Sequence, residues 1–167
     1  FDSFQNTSLL FASCYGHKEI VELLLGQKEI NPVATDIFGS TAFIFASTNG
    51  HKEIVEIFLR DGRIKVNSAK KSGKTALILA SANGHVEIVE MLLRSDGINF
   101  NFADNSGHTA LCMASKMGHK EIVRLLLKVE GIDVNAFTKG RQTSLMLAAR
   151  HGHEEVVEMI KAFENSH

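Results

Sequence analysis

DNSGHTALCMASKMGHKEIVRLLL, residues 104–127, carries the two signals from which the fold follows. Thr109 stands just before an apolar run that contains alanine, where its hydroxyl can cap an orphan backbone N–H at a helix start. Gly118 follows nine residues later and can take the left-handed conformation that ends a helix. A second apolar stretch begins directly after His119, with Glu121 in its first turn, where a carboxylate suits the positive end of the helix dipole. The stretch therefore reads as two short helices back to back. Each carries an apolar stripe too wide for it to bury alone.

The same spelling recurs. Gly-His occurs at Gly16-His17, Gly50-His51, Gly84-His85, Gly118-His119 and Gly152-His153, each 34 residues after the last. Nine residues before each glycine stands Thr7, Thr41, Thr75, Thr109 or Thr143, followed two residues on by Leu9, Phe43, Leu77, Leu111 or Leu145. In the third copy the spacing predicts helices over 75–83 and 85–94. Gly, Asn and Asp gather between copies, as from Asp96 to Asn99 and from Asp104 to Gly107, and mark turns. Self-similarity at a fixed period means one supersecondary unit copied along the chain, with stacking burying what each copy leaves bare. The predicted class is an all-α repeat solenoid of helix-turn-helix pairs joined by β-turn or hairpin loops. It forms one domain over 1–167 with units at 2–35, 36–69, 70–103, 104–137 and 138–167, the last of them capping.

These residues resemble the ankyrin repeat family. The resemblance is carried by Asp104-x-x-Gly107-x-Thr109-Ala110-Leu111-x-x-Ala114, then Gly118-His119-x-Glu121-Ile122-Val123, Leu125-Leu126-Leu127 and Gly131-Ile132-Asp133-Val134-Asn135. It covers essentially the whole chain. The departures are specific. The usual period is 33, and one extra residue falls after the second helix. The Thr-Pro-Leu-His signature has lost its proline and histidine. Leu10, Ile44, Ile78, Cys112 and Met146 stand in the histidine's place, so apolar packing is expected to replace its polar network. Gln5 and Arg141 replace the turn glycine in the first and last copies, and Gly140 is expected to restore the turn one residue earlier. The last copy breaks its apolar triplet with Lys161, a solubilising end. The first copy keeps an interior type of sequence, which suggests that the array once continued upstream.

Composition narrows the function. With 44% hydrophobic residues and a formal charge of −1, the chain has no global electrostatic drive toward nucleic acid or anionic membrane. No apolar run approaches a membrane span. Cys14 and Cys112 lie almost three repeats apart and read as reduced thiols of an intracellular protein, cytoplasmic or nuclear. Equivalent histidines in adjacent copies stand too far apart to share a zinc, because packed helices lie about 8–10 Å apart. They are expected to hydrogen-bond local backbone at the helix–helix corner. His151-x-His153 is a close pair without a cysteine or clear carboxylate partner. No phosphate-cradling loop, nucleophile elbow or metalloprotease motif appears. No catalytic residue, metal or cofactor is expected.

Binding remains. The resemblance implies that a partner meets the turn tips and the exposed ends of the first helices, on a concave face. Those positions are Phe4 and Tyr15 in copy one and Ile37, Phe38, Thr48 and Asn49 in copy two. Copies three and four contribute Lys71, Lys74, Asn83, Asn105, His108, Lys116 and Met117, and copy five Lys139, Arg150 and His151. This set has no acidic member, whereas Glu22, Glu53, Glu56, Glu87, Glu90, Glu121, Glu155 and Glu158 mark the second helices. The expectation is a monomer with a basic concave and an acidic convex side, binding a protein partner that has an acidic segment and an apolar anchor. The alternative is a regulatory or targeting segment of a larger enzyme, channel or effector. The context Leu127…Asp133-Val134-Asn135 also resembles that of hydroxylated ankyrin asparagines.

Overall fold

The computed structural model describes residues 2–166, of which 2–6 as backbone only. Among the described residues ten helices follow one another: α1 Asp2–Tyr15, α2 Lys18–Leu25, α3 Ala42–Asn49, α4 Lys52–Asp61, α5 Ala76–Asn83, α6 Val86–Leu93, α7 Ala110–Met117, α8 Lys120–Leu127, α9 Ser144–Arg150 and α10 Glu154–Glu164. They fall into five pairs, and the class read from the sequence holds.

The threonines do what their position suggests. Thr41, Thr75, Thr109 and Thr143 have extended backbone, and each hydroxyl oxygen accepts from the N–H three residues on, at Ile44, Ile78, Cys112 and Met146. Such a cap is worth about 1 kcal/mol. The five glycines of the Gly-His pairs all have φ of 74–81°. That left-handed step lets the next N–H reach back, as His51 N does to Ala46 O at 3.0 Å, and turns the chain straight into the second helix.

Two expectations fail. Thr7 is no cap: α1 begins five residues before it, at the first described residue. The turn needs a left-handed residue where this copy has Gln5, so helix propagates through the place of the loop. In the last copy Gly140 does not restore the turn. Arg141 itself takes φ 56° and does in place what Gly39, Gly73 and Gly107 do at φ 77–82°.

The first helices stack in one row, α1 through α9, and the second helices in another, α2 through α10. Ala42, Ala76, Ala110 and Ser144 are 0–1% exposed, and such small side chains let neighbouring first helices approach closely. The first row packs more extensively than the second, so the array curves with the first helices on the inside. Between the rows runs one core, including Phe43 edge-on to Phe58 with ring centroids 6.2 Å apart. Ile44, Ile78 and Cys112 are buried, the apolar packing expected where the signature histidine is missing. Leu10, however, is half-buried, and Met146 is 53% exposed because no further copy packs on the last one among the described residues. Cys14 and Cys112 are both free thiols. Among the described residues no helix is long and apolar enough to cross a membrane.

Candidate partner-binding surface

Each inter-copy loop is a small hairpin. In the second copy Asp36 N–H donates to Ser40 O and Gly39 N–H to Asp36 O, both at 3.0 Å. The Asp36 carboxylate accepts from Phe38 N at 2.9 Å and Ser40 N at 2.7 Å. The backbone pattern repeats over Lys70–Lys74, Asp104–His108 and Thr138–Gln142. Neighbouring tips are then tied together: Lys71 N donates to Phe38 O, Asn105 N to Ser72 O and Lys139 N to Ser106 O, at 2.8–3.0 Å. The result is a ridge of four hairpins along the inner face.

Most of the expected contact residues do lie on this side and are exposed. Ile37 (77% exposed) and Phe38 (61%) crown the ridge, and Lys71, Asn105 and Lys139 continue it. Tyr15, Asn49, Asn83, Met117 and His151 stand in register at the ends of the first helices, with Arg150 beside them. Thr48, Lys74, His108 and Lys116 are half-buried. Phe4 lies outside the residues whose side chains are described.

Several of these residues are occupied by structure. Asn49 Nδ2 donates to Cys14 O at 2.9 Å, Asn83 Nδ2 to Thr48 O at 2.8 Å and Asn105 Nδ2 to Lys71 O at 2.8 Å. Thr48 donates to Ile44 O, and His108 faces the buried Asp104 carboxylate at 3.4 Å. Their side chains join one copy to the next or hold a loop, which limits what they can offer a partner.

The ridge and α1 enclose a groove of about 500 Å³ that sequence reading did not locate. Leu10, Phe11, Cys14 and Tyr15 line it from α1, Thr35, Asp36 and Ile37 from the hairpin, and Phe45 from α3. The Phe11 and Tyr15 rings are stacked with centroids 6.1 Å apart, yet both remain mostly exposed. A signal was present: four residues after each threonine stand Phe11, Phe45, Leu79, Met113 and Leu147, aromatic in the first two copies alone. It went unread because a first-helix aromatic is ordinarily core.

Charge divides as expected. The inner-face acids are spent on their own loops: Asp104 accepts from Ser106 N and His108 N just as Asp36 does in its hairpin. Lys71, Lys74 and Lys139 enter no salt bridge among the described residues. On the outer helices the charges are paired: Glu56 with Arg60 (2.9 Å), Glu90 with Arg94 (2.6 Å), Lys120 with Glu155 (2.9 Å), and Glu121 with Arg124. The hydrogen bond that Lys120 donates to Glu155 raises the Lys120 pKa above the ordinary lysine value, and the one that Glu121 accepts from Arg124 lowers Glu121 below the ordinary glutamate value.

The repeated histidines bind backbone, but not the local backbone expected of them. His51, His85, His119 and His153 each donate from Nε2 to a carbonyl 37 residues upstream, in the preceding copy: Cys14, Thr48, Ala82 and Lys116, at 2.9–3.1 Å. The His151 and His153 rings are stacked with centroids 6.4 Å apart, and the first has Nδ1 on Leu147 O. Among the described residues no group of three or more His, Cys, Asp or Glu is placed to hold a metal ion. Asn135 is exposed, its N–H on the Asp133 carboxylate at 3.0 Å.

Comparison with known families agrees with this architecture. A family model described as ankyrin repeats (3 copies) matches residues 9–104 and 96–166. A comparison with curated proteins gives no match.

Proposed function

Because the chain belongs to the ankyrin repeat family, whose members are protein–protein interaction modules, we propose that it binds a protein partner along its inner face and catalyses nothing there. The observation that carries this reading is the apolar groove of Phe11, Tyr15, Ile37 and Phe45, open among the described residues, beside ridge lysines that enter no salt bridge with them. An apolar or aromatic group of the partner fills the groove, and burying it contributes about 1.5–3 kcal/mol. An acidic segment of the partner lies toward Lys71, Lys74 and Lys116. Exposed charge contributes more to approach rate and orientation than to affinity.

The test compares the chain with its Lys71→Glu, Lys74→Glu, Lys116→Glu triple variant. Partners recovered by the native chain are titrated against both proteins at low and high salt. Weaker binding by the variant, with a flatter salt dependence, is expected. Equal affinity and equal salt dependence would overturn the reading.

A further inference from the structure

The spacing of the ridge restricts the shape of what can lie on it. Its four tips are joined in a row by Lys71 N–H to Phe38 O, Asn105 N–H to Ser72 O and Lys139 N–H to Ser106 O. Those bonds occupy the tip groups that an added β-strand would use. A strand also shows the same side every second residue, about 6.7 Å, a poor match to copies packed about 8–10 Å apart. An α-helix comes into phase about every seven residues but grips a groove through several apolar residues over successive turns. Here the apolar groove is confined to copies one and two, and beyond it the tips are Lys71, Asn105 and Lys139. A polyproline II segment has three residues per turn and rises about 3.1 Å per residue, so it presents one side about every 9.3 Å. That period falls within the roughly 8–10 Å by which packed helices, and so the copies that carry the tips, are separated, and its backbone needs no hydrogen-bonding partner.

We infer that the ridge takes a polyproline II segment with a large apolar residue in the groove against Ile37 and acidic residues three and nine positions away, over Lys71 and Lys139. The inference rests on the reading that the inner face binds protein, and adds to it the conformation and spacing of the ligand. The intermediate register, six positions from the anchor, falls on Asn105, whose amide is already donated to Lys71 O at 2.8 Å, so that position carries no charge preference. Asp36, an acidic residue of the groove lining, has Oδ1 engaged by Phe38 N and Ser40 N and turned into its own loop. The structure is indifferent to chain direction, so both orders of the motif belong in the test.

The probes are fluorescent proline-rich peptides with one phenylalanine and two aspartates, in both orders. One set has the aspartates at the third and ninth positions, a second at the fourth and tenth. A third, alanine-rich set has helical spacing. Anisotropy titrations against the 167-residue chain are expected to favour the first set by about fivefold, the scale of exposed ion pairs. Lys71→Glu removes that advantage, and lysine in place of the nearer aspartate restores it. Phe11→Ser weakens every set, and its exposed position keeps the fold intact. Equal affinity in all sets with a retained Phe11→Ser effect overturns the spacing and leaves the inner-face reading standing. Preference for the helical set does the same. If neither Phe11→Ser nor Lys71→Glu changes any titration, both fall.

Discussion

His85 stands in the space a side chain on Gly50 would need: a Cβ built on Gly50 falls 2.7 Å from the imidazole Cε1. The same ring donates to Thr48 O at 2.9 Å. Each of the three inner Gly-His pairs, at Gly50-His51, Gly84-His85 and Gly118-His119, is thus half of two different contacts. Its glycine receives the histidine of the next copy, and its histidine reaches the copy before. Gly16 with His51, Gly84 with His119 and Gly118 with His153 repeat the arrangement at 2.5–2.9 Å.

Gly50→Ala is therefore expected to cost more than a left-handed alanine alone. The backbone contributes about 1–2 kcal/mol, and displacing His85 from its carbonyl adds about 1 kcal/mol. Gly152 has φ 75° but nothing within 4 Å of its would-be Cβ, so Gly152→Ala costs only the backbone part. Urea unfolding of both variants checks this, and equal losses would contradict it.

Arg141 holds φ 56°, where the other three hairpins have glycine. Arg141→Gly is expected to stabilise the last copy by about 0.5–1 kcal/mol, after the entropy cost of glycine is set against the relieved strain. Thermal unfolding would show a rise in midpoint. A fall would mean that the exposed arginine side chain is worth more than the strain.

Three buried serine hydroxyls, Ser13, Ser81 and Ser115, have no hydrogen-bond partner among the described residues, whereas Ser47 in the same register donates to Phe43 O at 2.8 Å. An unsatisfied buried polar group costs about 1–3 kcal/mol. Ser81→Ala and Ser115→Ala should leave stability unchanged or raise it, while Ser47→Ala lowers it by about 1 kcal/mol. Chemical denaturation of the three variants separates the cases. A large loss at Ser81 would show a bond formed in solution.

The Asp61 carboxylate holds Arg63 by two hydrogen bonds of 2.7 Å, and Arg63 also donates to Leu25 O, at the end of α2, at 2.8 Å. The Arg63 hydrogen bond lowers the Asp61 pKa below the usual aspartate value. A lowered folded-state value means stability that is present above about pH 4 and lost as pH falls through the folded value. Asp61→Asn should lower the urea midpoint by a constant amount between about pH 5 and 8, and the gap should close in acid. A gap that does not shrink below about pH 4 rules this out.

The features legible in the sequence were the local ones. Thr41, Thr75, Thr109 and Thr143 cap because a cap needs only its own next turn, and the helix-ending glycines were readable for the same reason. Thr7 failed because its helix continues through the place where the other copies have a hairpin. Gly140 failed because the turn is fixed by the register of Lys139 N–H on Ser106 O in the preceding hairpin, not by the nearest permissive residue. The reach of His51 to Cys14 O lies 37 residues away, and no reading of one copy contains it. The groove was hidden in another way: Phe11 and Phe43 are both first-helix aromatics, but Phe11 is 57% exposed and Phe43 1%, a difference made by what packs on each.

The interlocking of glycine and histidine also bears on how such a chain can change. Removing residues 70–103 would join copy two to copy four, bring His119 to Gly50 and the Thr48 carbonyl, and bring Asn105 to the hairpin of Ile37 and Phe38. Every junction would be remade with parts already suited to it. An unequal exchange that gains or loses whole periods therefore lands on a foldable product, whereas an internal deletion of a fractional period breaks the junction. Length is then the property of this molecule that heredity can alter most cheaply, and the distance from the groove to the last lysine on the ridge alters with it.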